Sequence, residues 1–197
     1  MKKIVSLISG GIDSPVAAYM VGRFGDEIVP IYFDNYPFSS ENNKMKAKEA
    51  VERLKKHVKI DELMVIPHGE YLLEVANKCK RKYTCVLCRR QMFRVAEKVC
   101  KKIGGEGIIT GEFLGSKASQ TLKNMEVISQ AVSIPIIRPL LGLDKEEIQE
   151  IGRKIGTFGE GISHAGCCAM VPKRPCTKAD LEKILEEEKK VEKVFFN

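Results

Sequence analysis

The sequence lacks any run of about 18 apolar residues, the length needed for a membrane-spanning helix. Its first residues, Met1-Lys2-Lys3, lead directly into a β-branched stretch, without the apolar segment and cleavage site of a secretory signal peptide. We therefore expect a cytoplasmic protein with no membrane partner. At 197 residues, the chain is long enough to bury the core of one α/β domain.

Two common nucleotide-binding patterns are also missing. The chain has neither a Walker A G-x-x-x-x-G-K-[ST] sequence nor a Rossmann G-x-G-x-x-G sequence. It has instead the stretch Ser9-Gly10-Gly11-Ile12-Asp13-Ser14, which lies between an apolar β-branched segment and Pro15. This order predicts a strand, a tight turn and a helix whose first residue is Pro15.

The residues of this stretch predict an anion-binding turn. Gly10 and Gly11 carry no Cβ, so the backbone can turn sharply and approach a bulky anion. The free N–H groups and positive end of the following helix favour phosphate. Ser9 and Ser14 add hydroxyl donors, and Asp13 is placed to meet a magnesium–phosphate complex.

Short apolar segments alternate with amphipathic helices along the chain. This alternation predicts an α/β fold, a doubly wound parallel five-stranded sheet whose strands cover 4–8, 27–33, 63–66, 107–110 and 135–140. Ligands bind such sheets beyond the carboxyl ends of the strands. Tyr32 and Phe33 are therefore candidates to stack on an adenine or to offer it backbone hydrogen bonds, although Phe33 suits a core position equally well.

Two helices are predicted in the C-terminal part of the chain. Asp144 is expected to cap a helix over 145–156, with Glu147 at the third helical position to complete a capping box. Residues 178–193 form a highly charged helix that suits packing or an oligomer contact better than catalysis.

Residues 78–102 hold ten basic residues and one acid, Glu97. Arg89, Arg90 and Arg94 follow a Cys-x-x-Cys pair and mark the start of a predicted helix. Such a basic face suits the phosphates of a nucleic-acid backbone. The alternative is a solvated charged face. The formal net charge of +7 agrees with a nucleic-acid partner but does not require one.

The chain has seven cysteines, which in a cytosolic protein favour metal, cluster or redox chemistry over structural disulfides. Cys85 and Cys88 have the spacing that lets two thiolates reach one metal ion or cluster. Adding either Cys167 or Cys168 would give three thiolates and leave one iron of a [4Fe–4S] cluster free to bind sulfide. Zinc and a redox or persulfide pair are the alternatives, but the second C-x-x-C pair of a closed zinc ribbon is missing.

With these segments in this order, the chain resembles the ThiI family of tRNA 4-thiouridine synthetases. Its first stretch resembles the SGGxDS signature of the PP-loop ATP pyrophosphatases. The resemblance covers residues 3–176, and its blocks are LISGGIDSPVAAYM, RRQMFRVAEK, ITGEFLGSKASQTL, IRPLLGLDKEEI and GCCAMVPKRP. It implies an adenine nucleotide α-hydrolase-like PP-loop domain over 1–176, with a cysteine-containing C-terminal extension, and a charged helix over 177–197.

The resemblance also implies site residues. ATP, with Mg²⁺, would lie along a set of family positions that here are Leu7, Ile8, Ser9, Gly10, Gly11, Asp13, Ser14, Tyr32, Phe33, Arg89, Gly111 and Gln120. Cys167 aligns with the family's sulfur-carrying cysteine, and Cys168 is the alternative one residue on. Catalytic roles are therefore expected for Asp13 and for Cys167 or Cys168. The Cys85/Cys88 pair resembles the cluster-binding variety found in methanogens.

The activity implied by the resemblance is an ATP-dependent tRNA sulfurtransferase. A tRNA uridine would be adenylylated at O4, and sulfur from sulfide or a persulfide carrier would replace the oxygen to give 4-thiouridine. Alternative hypotheses are another tRNA base, a small molecule of the thiazole pathway, or a non-catalytic nucleotide-binding iron–sulfur subunit. Since this sequence contains no ferredoxin-like, THUMP or rhodanese region, we expect a separate THUMP-type RNA-binding protein or a homodimer to complete the RNA contact.

Overall fold

The computed structural model describes residues 2–159 and 168–191, which form a parallel sheet with helices packed on both faces. This confirms the predicted fold class. The strands are β1 (Lys3–Leu7), β2 (Glu27–Asp34), β3 (Met64–Pro67), β4 (Ile108–Thr110) and β5 (Ile136–Ile137). The helices are α1 (Asp13–Gly22), α2 (Glu41–Leu54), α3 (Gly69–Lys78), α4 (Thr84–Lys102), α5 (Leu122–Ser129), α6 (Lys145–Lys154) and α7 (Leu181–Glu188).

The sheet has the order β3-β2-β1-β4-β5, with every neighbouring pair parallel. Strand β1 lies at the centre, where Val5 is paired with Val29 of β2 and with Ile108 of β4. The chain winds outward from β1 to β3 and then returns to the other side of β1 at β4. A crevice therefore opens between the carboxyl ends of β1 and β4, the usual ligand position in such sheets.

Each face of the sheet has its own apolar core. On one face α1, α2 and α6 cover the sheet, and on the other α3, α4, α5 and α7 do so. Val16, Ala17 and Ala18 of α1 are fully buried, and these small side chains let the helix lie close to the strands. Within the residues described, no helix combines the length and the apolarity needed to cross a membrane.

Most elements lie within a few residues of their predicted bounds. The charged helix expected over 178–193 covers Leu181–Glu188, and residues 192–197 lie outside the described residues. Three further differences concern α1, α4 and β5. Helix α1 begins at Asp13, two residues before Pro15. Helix α4 begins at Thr84, so the Cys-x-x-Cys pair lies in its first turns rather than before it. Strand β5 is limited to two residues because Pro135 and Pro139, which flank it, have no N–H for a ladder. The capping box of Asp144 and Glu147 on α6 is confirmed.

The C-terminal helix α7 is attached to α4 by a buried ion cluster. The Glu188 carboxylate is 6% exposed and accepts hydrogen bonds from both Nη atoms of Arg94, each at 2.7 Å, and from Nε of Arg90 at 2.8 Å. Arg90, 1% exposed, also donates to the carbonyl of Val127 on α5. The hypothesis that Arg90 and Arg94 face a nucleic acid is therefore wrong, because α7 covers them and Glu188 pairs with them.

Burial and ion pairing act in opposite directions on Glu188. Burial raises the pKa of this carboxyl, while the hydrogen bonds from Arg94 and Arg90 lower it by more, so that its pKa lies below the ordinary value. The carboxylate is therefore ionised in the folded protein at neutral pH. Two arginines on α4 share its charge, which makes Glu188 the main polar link between α7 and the rest of the domain.

We predict that Glu188→Gln destabilises the fold by about 3 kcal/mol, because it leaves two arginines without their buried counter-charge. Denaturant unfolding measures the effect. The matched control is Glu186→Gln on the exposed side of the same helix, which should change the unfolding free energy by less than about 0.5 kcal/mol. Equal losses in both variants would contradict the role assigned to Glu188.

The wild type and the Glu188→Gln variant also test whether folding lowers the pKa of Glu188. A carboxyl whose pKa is lowered by folding stabilises the protein above its unfolded-state pKa, here 4.5, and loses that contribution as pH falls through the lower folded-state value. The stability difference between the wild type and Glu188→Gln should therefore be full at neutral pH and shrink below pH 4.5. A difference that grew in acid would contradict the assignment.

Candidate active site

A cleft of about 240 Å³ opens at the crevice between the carboxyl ends of β1 and β4. Its walls come from the end of β1, the first turn of α1, the N-terminal half of α4, the loop after β4 and the segment that begins at Cys168. The lining residues are Leu7, Ile8, Ser9, Asp13, Ser14, Asn35, Leu72, Thr84, Cys85, Cys88, Arg89, Met92, Thr110, Gly111, Lys117, Ser119, Gln120, Cys168, Met170 and Val171.

Ser9 and Ser14 hold the turn between β1 and α1 in shape. The Ser14 hydroxyl accepts a hydrogen bond from the Ser9 N–H at 2.8 Å and lies 3.0 Å from the Ser9 hydroxyl. The Ser9 hydroxyl in turn accepts from the Gly11 N–H at 3.3 Å. The two serines thus bridge the turn and fix the start of α1, whose positive end lies beside the cleft.

Gly111 brings the loop after β4 against the start of α1. A Cβ at this position would lie 2.6 Å from the backbone nitrogen of Ser14 and 2.7 Å from the carbonyl carbon of Asp13. Contacts this short would push the backbone of the loop after β4 away from the backbone of α1. Only glycine therefore lets these two walls of the cleft meet.

An arginine–glutamate–arginine cluster lies beneath the loop after β4. Glu112 is fully buried and accepts hydrogen bonds from Arg89 Nη2 and Arg138 Nε, each at 2.9 Å. Both guanidinium groups lie 5.9 Å from the centre of the Phe93 ring. With two cations and one anion, the cluster leaves positive charge beside the cleft, where Arg89 forms part of the wall. This charge suits an anionic ligand.

Three thiols, those of Cys85, Cys88 and Cys168, line the same cleft. Burial raises the pKa of the Cys88 thiol to about 12, and the neighbouring cysteines add to the effect while Arg89 opposes it. Cys88 is therefore a neutral thiol at pH 7 unless a metal or another cation stabilises the thiolate. Within 2–159 and 168–191, no three His, Cys, Asp or Glu side chains are close enough to hold a single metal ion.

His68 is a site residue to which the sequence assigns no role. It is 3% exposed, and its Nε2 lies 3.3 Å from Cys88 Sγ. Its ring packs against Phe33 and Tyr71, and burial lowers its pKa to about 4, so the ring is neutral at pH 7. Nothing in the sequence joins positions 68 and 88. Only the packing of α3 against α4 brings them together.

Most of the predicted site residues meet at the cleft. Those that line it are Leu7, Ile8, Ser9, Asp13, Ser14, Cys85, Cys88, Arg89, Gly111, Gln120 and Cys168. Gln120 is 4% exposed, and its Oε1 has no hydrogen-bond partner in the part of the chain that the structure describes. An unpaired buried amide oxygen on the wall of a cleft indicates a ligand that supplies the missing donor.

Other predicted residues do not line the cleft. Tyr32 and Phe33 are buried in the cores on opposite faces of the sheet, because successive side chains of a strand alternate. Both rings are therefore packed in the core and not in the wall of the cleft, and a contact of either residue with an adenine stays a prediction. Gly10 and Gly11 are also outside the lining, so their contact with a nucleotide stays a prediction too. Cys167 lies outside the described residues.

Comparison with known proteins gives a consistent family. The sequence model of a family described as thiamine biosynthesis protein (ThiI) matches residues 1–193. A protein named probable tRNA sulfurtransferase from Thermoanaerobacter sp. (strain X514) is 43% identical over 192 residues, which cover 96% of this chain and 50% of that protein. The chain thus spans about half the length of the curated relatives it matches.

Solved structures share the fold. A 4-thiouridine synthetase, described in complex with RNA and bound ATP, superposes with a TM-score of 0.89 at 35% identity, covering 97% of this chain and 50% of that one. A U34-tRNA thiolase from Methanococcus maripaludis, described with its [4Fe–4S] cluster, has a TM-score of 0.55 at 16% identity, covering 95% and 64%, which shows a common fold alone. The match of the family model across nearly the whole chain shows that the chain belongs to the ThiI family.

Proposed function

We propose that this chain is the ATP-using half of a tRNA sulfurtransferase that converts uridine to 4-thiouridine. The observation that carries the proposal is that one cleft joins the SGGIDS turn to three cysteines, Cys85, Cys88 and Cys168. A nucleotide-activating turn and thiols in the same cavity allow oxygen activation and sulfur delivery without release of the intermediate. The related 4-thiouridine synthetase, described with RNA and ATP, supports the same assignment.

The nucleotide would lie with its phosphates at the turn and at the start of α1. The positive helix end, the serine hydroxyls and the charge of Arg89 all favour an anion there. Lys117 also lines the cleft and adds a cation. Asp13 would hold Mg²⁺, which neutralises phosphate charge when bound. The buried Gln120 amide would accept from a donor on the nucleotide.

In the first step, the uridine O4 attacks the α-phosphorus of ATP and the bond to the β-phosphate oxygen breaks. Pyrophosphate leaves, and O4 carries AMP. The turn and its serines stabilise the charge that develops on the departing pyrophosphate. Adenylylation of O4 removes the N3 proton and leaves an N3=C4 double bond. In the second step, hydrosulfide attacks C4, AMP departs with the original oxygen, and transfer of the sulfur-bound proton to N3 gives the thiocarbonyl.

Cys85, Cys88 and Cys168 are the residues that would hold a [4Fe–4S] cluster. When bound, such a cluster supplies one iron without a protein ligand, to which sulfide can be held. The three thiols line one cleft, and three protein thiolates are the number that leaves one iron of such a cluster open.

Cys168 is our candidate for the third ligand, and Cys167, which lies outside the described residues, is the alternative. Cys168 lines the cleft, and its Sγ accepts a hydrogen bond from the Met170 N–H at 3.4 Å. The resemblance to the family's sulfur-carrying cysteine favours Cys167 instead, one residue earlier in the chain.

The acceptor has one further candidate. Because the matching family is described as thiamine biosynthesis proteins, sulfur transfer toward a thiazole precursor is the second hypothesis. If tRNA is the acceptor, further contacts with the RNA would come from a THUMP-type RNA-binding region or protein, or from a second copy of the chain. The sulfur donor would be sulfide or a persulfide carrier, and a tRNA substrate would place the reaction in the cytoplasm.

The proposed function is tested with anaerobically purified protein, ATP, sulfide and unmodified tRNA. We predict AMP and pyrophosphate in equal amounts, together with 4-thiouridine absorbance. Asp13→Asn should lower the rate of AMP formation by about 100-fold or more, since the loss of one charge-stabilising group has this effect in other enzymes. Asp61→Asn, on an exposed loop away from the cleft, is the control and should keep the wild-type rate.

AMP formation that a thiazole precursor stimulates and tRNA does not would favour the second hypothesis. Failure to form AMP with any acceptor would leave only a non-catalytic nucleotide-binding protein. An Asp13→Asn protein as active as the wild type would contradict the role given to Asp13.

We predict that Cys85→Ser, Cys88→Ser and Cys168→Ser each lose most of the bound iron and acid-labile sulfide, because each removes one of three thiolate ligands. Cys79→Ser is the matched control. Cys79 is buried, and its thiol donates to the Glu187 carbonyl outside the cleft. Iron and sulfide analysis after anaerobic purification measures the loss.

Cys167→Ser distinguishes the two candidates for the third ligand. Retained iron in this variant and lost iron in Cys168→Ser would support Cys168, and the reverse result would restore Cys167. Full thiolation by an iron-free Cys88→Ser protein would contradict the cluster altogether.

A further inference from the structure

Two basic segments that are far apart in the sequence lie side by side next to the cleft. Lys80, Arg81 and Lys82 precede α4, and Lys173, Arg174 and Lys178 follow the segment that carries Cys168. All six side chains are exposed. We call these six residues the basic rim. The stretches 80–82 and 173–178 contain no acid and no aromatic residue.

Backbone hydrogen bonds fix the two segments together. The Cys176 N–H donates to the Lys82 carbonyl at 2.9 Å. The buried Asn124 side chain donates to the Cys176 carbonyl at 2.7 Å and accepts from the Ala179 N–H at 2.8 Å. The segment 176–179 is therefore held against both the start of α4 and the start of α5, and the rim is a built surface rather than two loose loops.

The rim cations differ from the arginines of α4 in their availability. Arg89, Arg90 and Arg94 are committed to Glu112 and Glu188. Among the described residues, none of the six rim cations forms an ion pair with an acid. Of the basic residues in the segment 78–102, it is thus mainly those before α4 that are available to bind a ligand.

The rim adjoins the thiol end of the cleft on both sides. Lys82 is two residues from Thr84, and Lys173 is two residues from Val171, and both Thr84 and Val171 line the cleft. Two residues span at most about 7 Å of chain. A polyanion held on the rim would therefore pass the cysteines as it enters the cleft.

We propose that the basic rim holds the phosphate backbone of the tRNA and guides the target nucleotide toward Cys85, Cys88 and Cys168. This inference rests on the proposed function and assigns its RNA contact to specific residues. Exposed lysines and arginines are the usual partners of nucleic-acid phosphates. An acidic protein carrier is less suited to the surface, since protein interfaces place aromatic or apolar residues at their centre and the two segments provide no aromatic side chain.

The test compares two triple variants with a matched control in the full chain. The first variant combines Lys80→Gln, Arg81→Gln and Lys82→Gln, and the second combines Lys173→Gln, Arg174→Gln and Lys178→Gln. The control combines Lys98→Gln, Lys101→Gln and Lys102→Gln, which removes three exposed lysines from the far end of α4. Affinity for unmodified tRNA is measured over a range of salt concentrations, and ATP affinity is measured in parallel.

Each rim variant should bind tRNA at least about tenfold more weakly at physiological salt, and its salt dependence should flatten by roughly two to three counterions. The control should keep the wild-type affinity and slope, and all four proteins should bind ATP equally. Wild-type tRNA affinity in both rim variants would overturn the role proposed for the rim, as would an equal loss of tRNA affinity in the control.

The acid-carrier alternative gives a different result. Rim variants that bind tRNA normally and use sulfide, but no longer accept sulfur from a persulfide carrier protein, would overturn the RNA assignment in favour of that partner. The failure of the proposed function is distinguishable, because then the wild type itself would neither bind nor thiolate tRNA. A wild type that thiolates tRNA alongside equally active rim variants would overturn the rim alone.

Discussion

The close approach of Gly111 to the first turn of α1 is the constraint on which the cleft depends. It lets the loop after β4 lie against the start of α1 by backbone contact, which side-chain adjustment cannot replace. The serine bridge of the β1–α1 turn and the Arg89–Glu112–Arg138 cluster then act on walls that are already in place. Geometry therefore comes from the backbone, and charge from the side chains that it positions.

The sequence predicted the sheet, the strand–turn–helix unit and most of the cleft because these depend on local patterns. Glycines before a helix and the alternation of strands with helices are properties of short segments. The sequence left open whether Phe33 belongs to the core and did not place Tyr32 there, because both lie near the carboxyl end of a strand, where side chains of such sheets can line either a core or a ligand site. His68 was missed since its significance arises from packing between α3 and α4.

The basic segment shows most clearly where local reasoning ends. Charge counting correctly found an excess of cations, but it could not tell which of them meet a buried acid nearly a hundred residues away. Glu188 and Glu112 sort the arginines of α4 into structural and cleft-lining roles. Only the exposed positions outside these clusters keep charge for a partner. For the cysteines, the spacing in the sequence was informative, but their protonation state depends on burial, which the sequence does not show.

Arg89 and Arg90 are consecutive residues that serve different sides of α4, one at the cleft and one beneath α7. Each residue of an α-helix advances the side-chain direction by about 100°. A single insertion or deletion between Cys85 and Arg94 would rotate one group of contacts relative to the other, so the thiols, Arg89 and Arg90 could not all keep their partners. The length of the helix between Cys85 and Arg94 is thus fixed, because this one stretch serves both the cleft and the contact with α7.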